Sequence, residues 1–152
     1  MTIAPDLGRT LDAVATAAGE LREPWWIIGS AAACLIGLHG HPADVDLLVG
    51  EEDAHRLLGL WKSEPQATLP SHLFRSTVFG RVSVAPLPIE VMAGLRVHGE
   101  PLVPRSRLPV PWRGKLLYVP DLGEQVAILR LFGREKDLRR ADALRAFSAR
   151  RV

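Results

Sequence analysis

This sequence predicts an α/β (α+β) domain: a small mixed sheet flanked by helices, with a helical C-terminal segment. Three observations carry that reading. Trp25-Trp26-Ile27-Ile28 is an apolar run that fits a buried strand, and Gly29-Ser30 before Ala31-Ala32-Ala33-Cys34-Leu35-Ile36 fits a tight turn opening a buried helix. Asp44-Val45-Asp46-Leu47-Leu48-Val49 fits a second strand, whose alternation sends Asp44 and Asp46 to one face while Val45 and Leu47 face the core. From Asp121 onward, apolar residues recur at helical spacing.

The 152 residues fit one domain spanning 1–152, with a core at about 22–93, a loop-rich stretch at 94–120 and C-terminal helices at 121–150. Nearly half the residues are apolar (47%) and a quarter charged (24%), but no apolar run approaches the ~18 residues of a membrane span, so no membrane partner is expected. Residues 1–20 include Asp6, Asp12 and Glu20 and do not resemble a signal peptide, and Cys34 is the single cysteine. Both point to the cytoplasm. The formal charge is only +2, yet Arg130, Arg134, Lys136, Arg139, Arg140, Arg145, Arg150 and Arg151 crowd the end of the chain. Such a cluster reads first as a solvated helix face and second as a surface for phosphates or RNA.

Taken in order, Leu7, Leu11, Val14 and Ala18 mark a packing helix, with Asp6 as a candidate N-cap and Gly19 as its stop. Glu23-Pro24 breaks the chain before the tryptophans, which read as packing. After the second strand, Glu51, Glu52 and Asp53 place negative charge at the start of a helix bearing Ala54, Leu57, Leu58 and Trp61. Residues 63–71, with Pro65 and Pro70, read as a loop, and from His72 onward strands are expected at 73–78, 81–85 and 89–92, with a turn at Gly80. Pro88 forces the last of these to begin at Ile89, leaving Ile89 and Val91 on one face and Glu90 on the other. Pro101, Pro104, Pro109 and Pro111 interrupt the next stretch, where one short strand at 116–119 is expected; its length suits a segment covering a site. Asp121 caps a helix with Leu122, Val126, Leu129 and Phe132, and Asp137 helps start one with Leu138, Ala141, Leu144 and Phe147. Cys34 reads as buried packing, and His39 and His41 as loop residues, since no further His or Cys stands at a zinc-like spacing.

Three acids on neighbouring strands, Asp44, Asp46 and Glu90, suit divalent cations shared with phosphates. In phosphoryl or nucleotidyl transfer such cations activate a hydroxyl and neutralise the leaving phosphates. Gly29 lets the backbone approach a phosphate, the N–H groups that follow bind anions, and the Ser30 hydroxyl adds a donor.

The order hydrophobic strand, Gly-Ser, thirteen residues, Asp44-Val45-Asp46 and a later Ile89-Glu90-Val91 resembles the nucleotidyltransferase superfamily of the polymerase-beta type. It is most similar to the small bacterial and archaeal nucleotidyltransferases related to the abortive-infection toxin group, many of which open their last helix with an Arg-x-Lys-Asp segment like Arg134-Glu135-Lys136-Asp137. The resemblance spans about residues 22–148. It implies a metal-dependent enzyme that binds ATP or another nucleoside triphosphate (NTP), transfers its nucleoside monophosphate to an unidentified hydroxyl and releases pyrophosphate. Asp44, Asp46 and Glu90 would then be catalytic and hold Mg²⁺ or Mn²⁺, Gly29 and Ser30 would hold the triphosphate, and Lys136 and Arg134 would neutralise phosphate charge. The acceptor is open among a small molecule, a protein and RNA, and a dimer is possible. Relatives in the toxin-like group often carry Arg and Thr or Ser before the first Asp, where this chain has His39-Gly40-His41-Pro42-Ala43. The alternative is a nucleotidyltransferase-fold binding module or toxin-antitoxin component without turnover.

Overall fold

The computed structural model describes residues 2–67, 71 and 73–150; Pro70, His72 and Arg151, read above as part of a loop, the start of a strand region and part of the basic end, lie outside them. A four-stranded sheet holds β1 (Trp26–Ile28), β2 (Val45–Val49), β4 (Val78–Val82) and β5 (Ile89–Ala93) in the order β1-β2-β5-β4. Only β2 and β5 run parallel; both outer pairs are antiparallel, so the sheet is mixed as expected.

Register divides its residues into two faces. Ile27, Leu47, Val45, Ile89, Val91 and Val82 point to a core closed by α1 (Pro5–Ala17), α3 (Glu51–Leu60) and the hairpin of β8 (Leu108–Trp112) and β9 (Lys115–Val119), with α2 (Gly29–Leu35) at its edge. On the other face Leu48 and Met92 are neighbours across β2 and β5, and α4 (Leu122–Phe132) and α5 (Glu135–Arg150) cover them through Val126, Leu129, Phe132 and Leu144. One residue pair further along the same face, Asp46 stands beside Glu90, and beyond Glu90 comes Arg81. The apolar row is roofed by helices; the charged row lies past the edge of that roof.

Several local expectations shift. Asp6 lies inside the first turn of α1, whose N-cap is Ala4, because Pro5 already fits the first helical position without needing an N–H partner. Gly80 is no turn but the middle of β4: a Cβ there would lie 2.5 Å from Leu58 Cδ2, so glycine lets α3 settle on the sheet. The strand expected at 73–78 is the two-residue β3 (Phe74–Arg75), paired with β6 (Arg96–Val97), which in turn pairs with β7 (Glu100–Pro101).

The stretch 94–120 carries more structure than a loop-rich reading allows. β8 (Leu108–Trp112) and β9 (Lys115–Val119) form a hairpin through Arg113 and Gly114, both at positive φ (45° and 81°), as a two-residue turn of the mirror-image type requires. Pro109 and Pro111 face out of β8, while Val110 and Trp112 are buried; an edge strand tolerates the missing donors. At α4, Asp121 caps as expected by accepting from Glu124 N at 2.8 Å. Among the described residues no helix is long and apolar enough to cross a membrane.

Candidate active site

The turn after β1 is built by Gly29, whose φ of +74° and whose closeness to β2 both exclude a side chain: a Cβ would stand 2.9 Å from Asp46 Oδ2. The Gly-Ser turn and the Asp-x-Asp strand are therefore pressed together, with Ser30 at the head of α2 on the cavity wall. Asp44, Asp46 and Glu90 each offer a carboxylate oxygen within 4.8 Å of the others. Parallel pairing of β2 with β5 sets Glu90 directly beside Asp46, as the expected strand faces required.

Asp46 is the anomalous member. Its Oδ1 is buried and accepts no hydrogen bond. Burial first, then the charges of Asp44 and Glu90, push its carboxyl up to about 8, against the pull of Arg134 and Lys136. An oxygen-seeking divalent cation would satisfy the orphaned oxygen and remove the mutual repulsion, so this donor set fits Mg²⁺ or Mn²⁺.

The acids face a cavity of about 440 Å³, whose lining includes Gly29, Ser30, His41, Arg134, Lys136, Arg140 and the apolar Phe74, Phe79, Met92 and Phe132. All seven residues expected at the site from the sequence, Gly29, Ser30, Asp44, Asp46, Glu90, Arg134 and Lys136, line this one cavity. Arg134 is held there: Nε donates to Asp137 Oδ2 at 2.6 Å, Nη2 to Oδ1 at 3.1 Å, and its guanidinium stacks 4.9 Å over the Phe74 ring. Asp137, itself buried, also accepts from Arg134 N at 3.3 Å, so it caps α5 and aims the arginine at once. Lys136 and Arg140 stand one helical turn apart on α5 along the same wall.

Sequence reasoning missed Arg81. From the edge strand β4 its Nη1 reaches Glu90 Oε1 at 2.5 Å and Asp44 Oδ2 at 3.7 Å. Arg140 is not singled out for the cavity by the sequence either, whereas His41, one of the two loop histidines, lines it. His39, by contrast, lies off the cavity, its ring centroid 5.9 Å from that of His41. Cys34 is buried packing, 3.7 Å from Gly40 O, and the tryptophans also pack, Trp26 donating to Ser106 O.

No protein-family model matches this sequence, nor does any curated protein. Solved structures do. The chain has the fold of nucleotidyltransferases. TM1012 of Thermotoga maritima, itself classed as a candidate nucleotidyltransferase, superposes with a TM-score of 0.74 at 21% identity, over 98% of this chain and 96% of that one. The antibiotic-resistance factor ANT(2'')-Ia superposes with a TM-score of 0.53 at 13% identity, over 93% and 90%. At such identities the likeness establishes the fold, and the argument for activity rests on the site.

Proposed function

We propose that this protein is a divalent-metal-dependent nucleotidyltransferase, transferring a nucleoside monophosphate from an NTP to a hydroxyl acceptor and releasing pyrophosphate. The observation that carries this reading is the buried, unpartnered Asp46 Oδ1 within a triad of acids that faces both the Gly29-Ser30 turn and a cationic wall.

Asp44 and Asp46 would hold the cations in common, with Glu90 completing the one on the acceptor side. Bound there, the cations lower the pKa of the attacking hydroxyl and neutralise charge on the phosphates. The Gly29-Ser30 turn supplies a backbone surface that phosphates can approach closely and one hydroxyl donor. Arg134, fixed by Asp137, and Lys136 supply positive charge where the triphosphate would lie. The acceptor oxygen forms a bond to the α-phosphorus as the bond to the β-phosphate bridge breaks. The hydroxyl proton passes towards Glu90, and pyrophosphate leaves. The phenylalanine and methionine side of the cavity provides apolar surface for the nucleoside.

The acceptor hydroxyl belongs to a small molecule, a protein or RNA, three classes that the labelling experiment below separates. A binding module without turnover is the second reading, favoured by the Arg81 ion pair that already engages Glu90. Incubation with Mg²⁺ or Mn²⁺, each α-labelled NTP, and separated small-molecule, RNA and protein fractions distinguishes the two, with Asp46→Asn alongside. Label entering one fraction, and only with the unmutated chain, is the expected result. Metal-dependent nucleotide binding with no transfer to any fraction would overturn the transferase in favour of the module.

A further inference from the structure

Among the described residues, the side chain that ion-pairs with the acid triad is Arg81. β4 pairs with β5 in antiparallel register that makes Arg81 the direct partner of Glu90, so both side chains stand on the sheet face that carries Asp46. The guanidinium ion-pairs with Glu90 Oε1 and lies 3.7 Å from Asp44 Oδ2, whereas the buried Oδ1 of Asp46 has no partner. Arg81 thus engages two of the three acids and leaves the third. Arg81 is nearly half exposed (46%), and β4 is the edge strand, so the side chain can leave the acids for solvent without disturbing the core.

We infer that Arg81 is an internal competitor for the acceptor-side cation: it occupies Glu90 and Asp44 while that position lacks a metal, and must release Glu90 before the second cation binds. The inference rests on the metal-dependent reading proposed above. Its consequence is an asymmetric pair of positions. A cation seated by Asp44 and Asp46 meets Arg81 only across the longer 3.7 Å contact with Asp44, while one that needs Glu90 must displace a guanidinium paired directly with it. Coulombic opposition at this short range, in a half-exposed site, is enough to weaken a divalent ion by about tenfold or more. Turnover would then rise with free metal concentration in two stages, the second of them set by Arg81 rather than by nucleotide affinity.

Mn²⁺ binding to the full chain, counted by the loss of the free-ion electron paramagnetic resonance signal and without nucleotide, tests this directly. The unmutated protein is expected to bind one ion tightly and a second weakly. Arg81→Gln should tighten the second by about tenfold while leaving the first nearly unchanged, and Arg81→Lys, which keeps the charge, should stay close to the unmutated protein. Thermal unfolding of each variant confirms that it is folded. Second-site affinity unchanged or weakened in Arg81→Gln would overturn the competitor role, assigning Arg81 to positioning Glu90 instead. If that happens while Asp46→Asn still loses the tight ion, the metal site stands and only the inference falls. No Mn²⁺ bound by any of these proteins would overturn both.

Discussion

Asp53 and Asp46 are both shielded carboxylates, seven residues apart, and they are treated in opposite ways. Asp53, in the first turn of α3, is 1% exposed and fully engaged: Arg22 N donates to it at 3.1 Å, Glu23 N at 2.9 Å and Arg56 Nη1 at 2.9 Å. It ties the segment leading into β1 to the helix after β2. Asp137 is satisfied in the same manner by Arg134. Asp46 is given neither donors nor a paired cation for its inner oxygen, and two further acids stand beside it. A carboxylate that holds the fold together is saturated by the fold. One left unsaturated against its own kind points to a cation from outside the chain.

The contrast is sharpest in a pair of substitutions. Asp46→Asn should reduce nucleotidyl transfer by about 1,000-fold or more, equivalent to ~4 kcal/mol of transition-state stabilisation, in an assay of pyrophosphate release. Its thermal midpoint without metal should match that of the unmutated chain near pH 4 and lie above it at pH 7, because there folding obliges Asp46 to keep a proton that the unfolded chain has released. Asp53→Ala should do the reverse. It strands two backbone N–H groups and the Arg56 guanidinium, costing about 3 kcal/mol in urea unfolding, while Mn²⁺ affinity per folded molecule is retained.

Asp46 should also produce a pH dependence opposite in sign to that of a salt-bridged carboxylate. Its folded-state pKa, about 8, lies above the ordinary value of 3.8, so between those limits the folded chain keeps a proton that the unfolded chain has released. Stability without metal therefore falls as pH rises from about 4 to about 8. Urea midpoints across that range should show the decline, saturating Mg²⁺ should offset it at the alkaline end, and Asp46→Asn should flatten it. The smallest effect expected is that of Gly29→Ala. A left-handed φ costs a non-glycine residue about 1–2 kcal/mol, and the added Cβ would crowd Asp46 Oδ2, so unfolding should come earlier and Mn²⁺ affinity should drop.

Much of this was legible in the sequence where the signal was local. Trp26–Ile28, Val45–Val49 and Ile89–Ala93 are apolar or alternating runs bounded by Gly or Pro, and they placed Gly29, Asp44, Asp46 and Glu90 correctly relative to one another. What failed depended on partners distant in sequence. Gly80 was read as a turn residue, and only the approach of Leu58 shows why a strand needs glycine there. The prolines of β8 masked a hairpin that places them on its exposed side. Arg81 carries no motif of its own, and its role follows from its register against Glu90. Asp137 was legible as a helix-starting residue, but its grip on Arg134 was not, since a capping pattern does not say which side chain the same carboxylate will orient.

The most direct test of the account is a crystal grown with Mn²⁺ and a non-hydrolysable NTP analogue, examined by anomalous scattering. The account predicts a manganese peak bridging Asp44 and Asp46 within coordination distance of Asp46 Oδ1, with the triphosphate against Gly29 and Ser30. A nucleotide seated in the cavity with no manganese at Asp46, or manganese bound only away from the three acids, would contradict it.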